Sequence, residues 1–286
     1  MATASSGRQG KGPRAPKIGA ILSHAALIAI SIVALYPIYY MVITAFKNRK
    51  EYLSSQFLPP LHPTLQNWRE VLATGDLPRW MFNSVVVTAI SVLVATAAAV
   101  LAAYALARMQ FPGRDTILSG IVSLMVVPPV VLVVPLFLLM VRVGLINTLP
   151  SVIVVYVGLT IPLSVYLLTN FFRALPYEIE EAARMDGCSS LGVLWRIVLP
   201  LSAPALLTSI VVNALWVWNE LLIALVFLQS NESRTLVAGL TLFQGQYKVN
   251  ESLVMTGALL ATIPMLLLYL FGARFFIRGL VAGAGK

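Results

Sequence analysis

The sequence has little charge, a single cysteine and two histidines. Charged residues make up 11% of its 286 residues, against about a quarter in soluble domains, whereas hydrophobic residues make up 59%. The lone cysteine, Cys188, excludes an internal disulfide framework and any multi-cysteine metal site. The histidines, His24 and His62, are too few for most histidine-rich metal sites. The composition argues strongly against a water-soluble enzyme, and neither a catalytic residue nor a metal site is predicted.

Long uncharged runs stand where a soluble chain would carry charge. Six stretches between consecutive charged residues are 22 to 30 residues long. Since about 20 apolar residues in a helix cross a hydrocarbon core of about 30 Å, each run is long enough to span a membrane. The predicted fold class is therefore all-α, a polytopic membrane protein with six transmembrane helices. The predicted spans cover, approximately, residues 18–46, 81–107, 116–141, 151–172, 205–228 and 253–275.

Three prolines, Pro128, Pro129 and Pro135, lie within the third predicted span. Each removes a backbone donor and crowds the preceding helical turn, so the span is predicted to break or kink there. A bent span could serve as a hinge or gate, or its shape could only fill space.

The charges that remain bear on orientation rather than on nucleic-acid binding, despite a net charge of +9. Residues 1–17 mix Ser, Gly and Pro with four basic residues and are predicted to form a disordered basic cytoplasmic arm. With the amino terminus inside, the predicted cytoplasmic segments hold 12 Lys and Arg against eight outside, which favours two cytoplasmic termini. The cluster of Lys47, Arg49 and Lys50 after the first span opposes that orientation.

The connection at residues 173–204 is too long for a simple turn and is rich in acidic residues. Pro176 favours a helix start and Gly187 can end it in a left-handed conformation, so a helix is predicted at about 176–186. Ser189 or Ser190 can cap a second helix. Its predicted apolar face consists of Leu191, Leu194, Trp195 and Val198. Such a unit could dock on a soluble partner or lie on the lipid surface.

A specific motif runs through this connection. Glu181-Ala182-Ala183 is followed after three residues by Gly187, and after nine more by Ile197, one further residue and Leu199-Pro200. The spacing resembles the EAA loop of the membrane subunits of ATP-binding cassette (ABC) importers, which is the coupling helix that inserts into a cleft of the cytoplasmic ATPase. The implied ATPase-coupling residues are Glu181, Ala182, Ala183, Asp186, Gly187, Ile197, Leu199 and Pro200. The resemblance implies the type I ABC importer transmembrane-domain fold for residues 18–286, with a cytoplasmic loop at 173–204.

Further matches resemble the carbohydrate-uptake branch of that family, in particular its smaller maltose-type permease. They are Pro200-Leu201 with Pro204, the run Trp218-Asn219-Glu220, and the carboxyl-terminal stretch from Gly279 to Lys286. The resemblance implies one of two membrane subunits of an ATP-driven sugar importer, working by alternating access in a bacterial-type plasma (inner) membrane. The implied partners are a second homologous permease, two cytoplasmic ABC ATPases and an extracytoplasmic sugar-binding protein.

The sequence contains no phosphate-binding loop of the form Gly-x4-Gly-Lys-Ser/Thr. The chain is therefore predicted to be a transport subunit and not an enzyme. It is expected to bind no cofactor itself, while the partner ATPase uses ATP and Mg²⁺.

Glu220 is the one ionisable residue predicted well inside a span. At helical spacing it shares a face with Ser209, Asn213 and Trp216, and Asn219 lies beside it. This stripe could line the substrate pathway, where an aromatic ring can stack on a sugar, or it could pack helices together with Glu220 bonded to a neighbour. The residues alone leave both alternatives open.

Two other functions also stay open at this point. An importer of the same kind could carry a polyol or a glycerol-phosphate ester. A stand-alone secondary transporter would be favoured by paired intramembrane charges and an inverted repeat, whereas this chain has a single such acid and no evident repeat.

Overall fold

The computed structural model describes residues 18–73, 76–243 and 250–283, and within these ranges the chain is helical and contains no strand. The α-helices are α1 (Ile18–Ala45), α2 (Arg49–Ser54), α3 (Gln66–Ala73), α4 (Leu77–Arg108), α5 (Arg114–Ser123), α6 (Pro129–Arg142), α7 (Leu149–Ala174), α8 (Tyr177–Met185), α9 (Ser190–Val193), α10 (Leu199–Leu201), α11 (Ala203–Asn219), α12 (Leu222–Phe227), α13 (Leu236–Leu240) and α14 (Glu251–Gly283). A π-helical turn, Leu194–Val198, joins α9 to α10. The predicted all-α fold is confirmed, and the predicted arm at 1–17 lies outside the described residues.

Four helices, α1, α4, α7 and α14, are each long and apolar enough to cross a membrane. Two further crossings are made if each of two bent units counts as one span. These are α5 with α6, bent by 97°, and the segment from α9 to α10 with α11, bent by 76°. The six units overlap the six predicted spans.

The bend between α5 and α6 lies at the paired prolines, which confirms the predicted break. Val127 and Pro128 are both extended, with ψ of 116° and 131°, and Pro129 begins α6. A residue that precedes proline is driven out of the helical region by the proline ring, so two successive prolines hold the gap open. Pro135, by contrast, lies within α6 without ending it.

The predicted fifth span, 205–228, is not one continuous helix. The helix α11 ends at Asn219, Glu220 is extended with ψ of 117°, and α12 begins only at Leu222. Neither proline nor glycine lies at this break, so the sequence carries no local signal for it.

The helices α4 and α7 pack against each other along most of their length and form the scaffold of the fold. Ala95, Ala99 and Ala103 recur once per turn of α4 and are completely buried. Small side chains at this spacing let two helix backbones approach closely. Leu168 and Phe172 of α7 are also completely buried and lie in one hydrophobic cluster with Ala99 and Ala103. The helix α11 packs on both α4 and α7.

Lys47 lies in the bend between α1 and α2 and is completely buried. Its Nζ donates to the carbonyl oxygens of Ser55 at 2.6 Å and Gln56 at 3.0 Å. Burial lowers the pKa of Lys47, since desolvation disfavours the charged form. Lys47, one of the three basic residues that opposed the predicted orientation, therefore stabilises the turn between α1 and the residues that follow α2.

The segment after α12 is fastened to the start of α4. Trp80 Nε1 donates to the carbonyl oxygen of Asn231 at 2.9 Å. Asn83 Nδ2 donates to the carbonyl oxygens of Glu232 at 2.9 Å and Arg234 at 2.8 Å. Because these three carbonyls belong to an irregular segment, the α4 side chains supply the partners that a helix or sheet would otherwise give.

The contact between α13 and α4 leads to a first prediction, for Gly239→Ala. A Cβ at Gly239 would overlap the six-membered ring of Trp80, which is 2% exposed. The ring cannot move away without losing its bond to Asn231, so we expect a loss of about 1–3 kcal/mol in stability. Thermal unfolding of the detergent-solubilised chain measures this, with Gly120→Ala, which meets no atom within 4 Å, as the control. Equal unfolding temperatures for both variants would contradict the tight contact.

Candidate functional site

The helix α8 and its carboxyl end form the first half of the loop at 173–204. Gly187 has a φ of 85°, which confirms the left-handed ending predicted there. The amide of Cys188 donates to Ala183 O at 3.0 Å, and that of Gly187 donates to Arg184 O at 3.0 Å. These two bonds form a Schellman motif, so the last carbonyls of the helix are paired and the chain reverses sharply.

The second half of the loop begins with a serine cap and then departs from the predicted pattern. Ser189 Oγ accepts a hydrogen bond from the amide of Gly192 at 3.2 Å. The single apolar face predicted here is wrong. Leu194 and Val198 are completely buried, whereas Leu191 and Trp195 are 60% and 61% exposed. Pro200 has no N–H to donate to the carbonyl four residues earlier, and the turn before it is π-helical rather than α-helical.

The exposed side of this unit carries most of the residues that match the EAA pattern. Glu181, Ala182, Asp186, Gly187 and Pro200 are exposed, Ile197 and Leu199 are half-buried, and Ala183 is buried. Apolar side chains also stand out from it. Met185 is 88% exposed and Ile179 is 41% exposed. The loop therefore presents an acidic and apolar surface away from the helix bundle.

The sequence did not indicate what fixes α8 to the bundle. Arg108 Nε, at the end of α4, lies 2.7 Å from Glu180 Oε1, and the two side chains are 6% and 2% exposed. Glu180 belongs to an acidic run whose other glutamates are exposed, so it reads as one more solvated charge. The available signal was its position three residues before Ala183, on the side of α8 that is buried.

The predicted polar stripe on α11 is divided between several roles. Asn213 Nδ2 donates to Ser164 Oγ on α7 at 2.7 Å, and Ser209 Oγ donates to the same oxygen at 3.1 Å. Ser209 and Asn213 are buried, at 0% and 2% exposure. Asn219 is exposed and donates from Nδ2 to Leu215 O at 2.7 Å. Ser209 and Asn213, the amino-terminal members of the stripe, therefore join α11 to α7.

Glu220 does not lie within a continuous helix but at the break before α12. Its Oε2 accepts hydrogen bonds from Tyr156 Oη at 2.7 Å, from the amide of Ile223 at 3.0 Å and from the amide of Ala224 at 3.2 Å. The amide of Ile223 also lies 3.0 Å from Oε1. The carboxylate thus pairs amides at the amino end of α12, where a negative charge is favoured.

A cavity of about 510 Å³ lies between α6, α7 and α11 and is lined mostly by apolar side chains. Asn213 and Trp216 are the members of the α11 stripe that border it. Trp216 packs edge-on against Tyr156, with ring centroids 5.9 Å apart and planes at 87°. Asn219 borders a separate cavity of about 450 Å³, between α11 and α14.

Metal ligands do not converge in this region. Across residues 18–73, 76–243 and 250–283, no group of three or more His, Cys, Asp or Glu side chains is placed to hold a metal ion.

Comparison with known proteins gives a consistent result. Residues 95–280 match the family model described as "Binding-protein-dependent transport system inner membrane component". The chain is 37% identical to a putative ABC transporter permease of Caldicellulosiruptor sp. over 90% of this chain and 93% of that protein. It is 34% identical to the trehalose/maltose transport system permease protein MalG of Thermococcus litoralis, over 94% of this chain and 95% of that protein.

A solved structure shares the fold. It belongs to a bacterial ABC transporter involved in the import of the acidic polysaccharide alginate, and one of its chains superposes with a TM-score of 0.77 at 24% identity. The match covers 95% of this chain and all of that chain. The transmembrane-domain fold of ABC importers is therefore the fold of this chain.

Proposed function

The chain belongs to the family of binding-protein-dependent transport system inner membrane components, and we propose that it is one of two membrane subunits of an ATP-driven sugar importer. Membership is supported by relatives that match most of this chain at more than 30% identity. The sugar class is supported by the names of relatives, among them the melibiose/raffinose/stachyose import permease MelC of Bacillus subtilis, 33% identical over 87% of this chain and 91% of that protein.

The exposed α8 unit is the observation that carries the coupling function. Its exposed face points away from the bundle and carries Met185 and Glu181, and the helix ends in a Schellman reversal at Gly187. These features suit a knob that enters a groove on a soluble partner. We assign this docking surface to the partner ATPase, whose closure on ATP would move α8 and rock the spans between inward-facing and outward-facing states.

The remaining assembly follows from this function. The partners are a second homologous permease, two cytoplasmic ATPases that use ATP and Mg²⁺, and an extracytoplasmic sugar-binding protein. The chain itself contributes no ATPase site and no cofactor. We propose that α8 faces the cytoplasm to meet the ATPase. With each bent pair counted as one span, the number of crossings on either side of α8 is even, which supports two cytoplasmic termini.

Among the residues of the α11 stripe, we assign contact with the passing sugar to Asn213 and Trp216. These two border the cavity of about 510 Å³ between α6, α7 and α11. An aromatic ring beside an amide can stack on a sugar and hydrogen-bond its hydroxyls. Ser209, Asn219 and Glu220 do not border this cavity and take no part in this assignment.

Reconstitution tests the proposal. The chain is co-expressed with its ATPase, second permease and binding protein, placed in vesicles and given radiolabelled disaccharides. We expect uptake that requires both ATP and the binding protein. Uptake by the chain alone without nucleotide would contradict the proposal and favour a secondary transporter. Uptake of polyols or glycerol-phosphate esters without uptake of disaccharides would support the importer function but contradict a sugar as the substrate.

A further inference from the structure

The buried ion pair between Arg108 and Glu180 joins two elements that the proposed coupling step moves. Arg108 is the last residue of the long helix α4, and Glu180 lies in the exposed helix α8. Their charged atoms are 2.7 Å apart, and neither side chain is more than 6% exposed. The pair is therefore shielded from water, even though α8 itself stands at the surface.

Arg108 also contacts the corner between α7 and α8. Its terminal Nη2 donates to the carbonyl oxygen of Leu175 at 2.8 Å. The guanidinium carbon lies 5.9 Å from the ring centroid of Tyr177, over the ring. A single planar guanidinium therefore contacts Glu180 and Tyr177 of α8 and also Leu175, the residue that follows α7. A lysine ammonium cannot reproduce this geometry.

Apolar packing alone already attaches this unit to the bundle. Ala183 of α8 and Leu194 of the following turn lie in one buried cluster with Val100 and Tyr104 of α4. A buried ion pair adds little net stability to such a contact, since the cost of desolvating both charges can exceed their attraction. The pair instead fixes the position of α8 relative to α4. A hydrogen-bonded charged contact sets the distance and angle between its two groups, whereas apolar surfaces can slide past each other.

We propose that Arg108 and Glu180 form a positioning pair that makes α4 follow the displacement of α8. This inference rests on the proposed function, because it specifies how movement of the coupling helix reaches the spans. Movement of α8 is passed through Glu180 to Arg108 and so to α4, whose buried alanines carry it to α7.

A nearby ion pair provides a matched control. Arg173 Nη2, on α7, lies 2.8 Å from Asp115 Oδ1 on α5, and the two side chains are 38% and 70% exposed. This pair is also at the ends of helices beside the loop but is open to solvent and joins neither helix to α8. Exposed pairs of this kind contribute little.

The test uses the complete assembly in vesicles, with sugar uptake per ATP hydrolysed as the readout. The double variant Arg108→Met with Glu180→Leu removes both buried charges together, so no unpaired charge is left inside the fold. We expect the assembly to form and hydrolyse ATP, while uptake per ATP falls about tenfold, within the range of typical coupling effects. Asp115→Asn should leave the ratio unchanged. A wild-type ratio in the double variant, or an equal fall in Asp115→Asn, would overturn the positioning role.

Arg108→Lys keeps the positive charge and tests the positioning role if the double variant does not assemble. A lysine can reach Glu180 or the Leu175 carbonyl but cannot hold both in a fixed fork, so we expect a fall of a few-fold in uptake per ATP. An unchanged ratio in this variant overturns the inference. Absence of ATP-dependent uptake in the wild-type assembly would instead count against the proposed function, which keeps the two failures distinguishable.

Discussion

Gly187→Pro is expected to abolish ATP-driven uptake while the chain still inserts and assembles. Gly187 has a φ of 85°, which a proline ring fixed near −65° cannot adopt. Proline also removes the amide that donates to Arg184 O. The reversal after α8 must therefore change, and the surface that we propose for ATPase docking changes with it. We expect uptake to fall about a hundredfold, near the upper end of common coupling energies.

The matched control for this variant is Gly187→Asn. Asparagine tolerates the left-handed region and keeps the amide donor, so the Schellman reversal can survive. A Cβ at position 187 meets no atom within 4 Å, so crowding affects neither variant, and the two differ in the φ that they can adopt and in the amide donor. Uptake and ATP hydrolysis are measured in the same vesicles. Normal uptake by the proline variant would refute the coupling role of this loop.

Elements whose signals are local could be predicted from the sequence. Uncharged runs located the candidate membrane-spanning units, since a helix that must satisfy its own backbone in lipid needs a long apolar stretch. The break at Pro128 and Pro129 and the left-handed Gly187 follow from the backbone chemistry of single residues. These features require no knowledge of what packs against them.

Features that depend on distant partners could not be predicted. Lys47 and Glu180 are charged residues in charged neighbourhoods, and only the folded chain shows that both are buried against specific acceptors or partners. Likewise, a regular helix was assumed for the residues around Trp195, but this turn is π-helical and the Trp195 side chain is exposed. Hydrophobic periodicity shows which residues are apolar, and it does not show which partner a charged side chain binds.

The α11 stripe shows the same limit in a single element. Helical spacing correctly places Ser209 and Asn213 on one side, where both bond Ser164. It cannot show that the helix ends at Asn219, because neither proline nor glycine marks the break and one partner of Glu220 there is Tyr156, on α7. The alternative in which Glu220 is bonded to a neighbour agrees with its hydrogen bond from Tyr156.

Glu220→Ala is expected to destabilise the chain strongly. The carboxylate accepts from the amides of Ile223 and Ala224 and from the Tyr156 hydroxyl. Its removal leaves without this acceptor three donors that belong to the buried residues Tyr156, Ile223 and Ala224, at about 1–3 kcal/mol for each unsatisfied group. We therefore expect a loss of at least about 3 kcal/mol, seen as a lower unfolding temperature in detergent and as faster hydrogen exchange at residues 223 and 224.

A graded series separates this capping role from a general effect of removing charge. Glu220→Gln keeps one acceptor oxygen and should fall between the wild type and Glu220→Ala, whereas Tyr156→Phe removes a single hydrogen bond at a net cost of about 1 kcal/mol. If the break in the helix is held by the carboxylate, the loss must rise in the order Tyr156→Phe, Glu220→Gln, Glu220→Ala. Equal losses for the Gln and Ala variants would mean that the charge, and not the acceptor geometry, keeps α12 in place. In that case Glu220 would stabilise α12 through the electrostatic attraction of its negative charge, and not through its hydrogen bonds to the amides of Ile223 and Ala224.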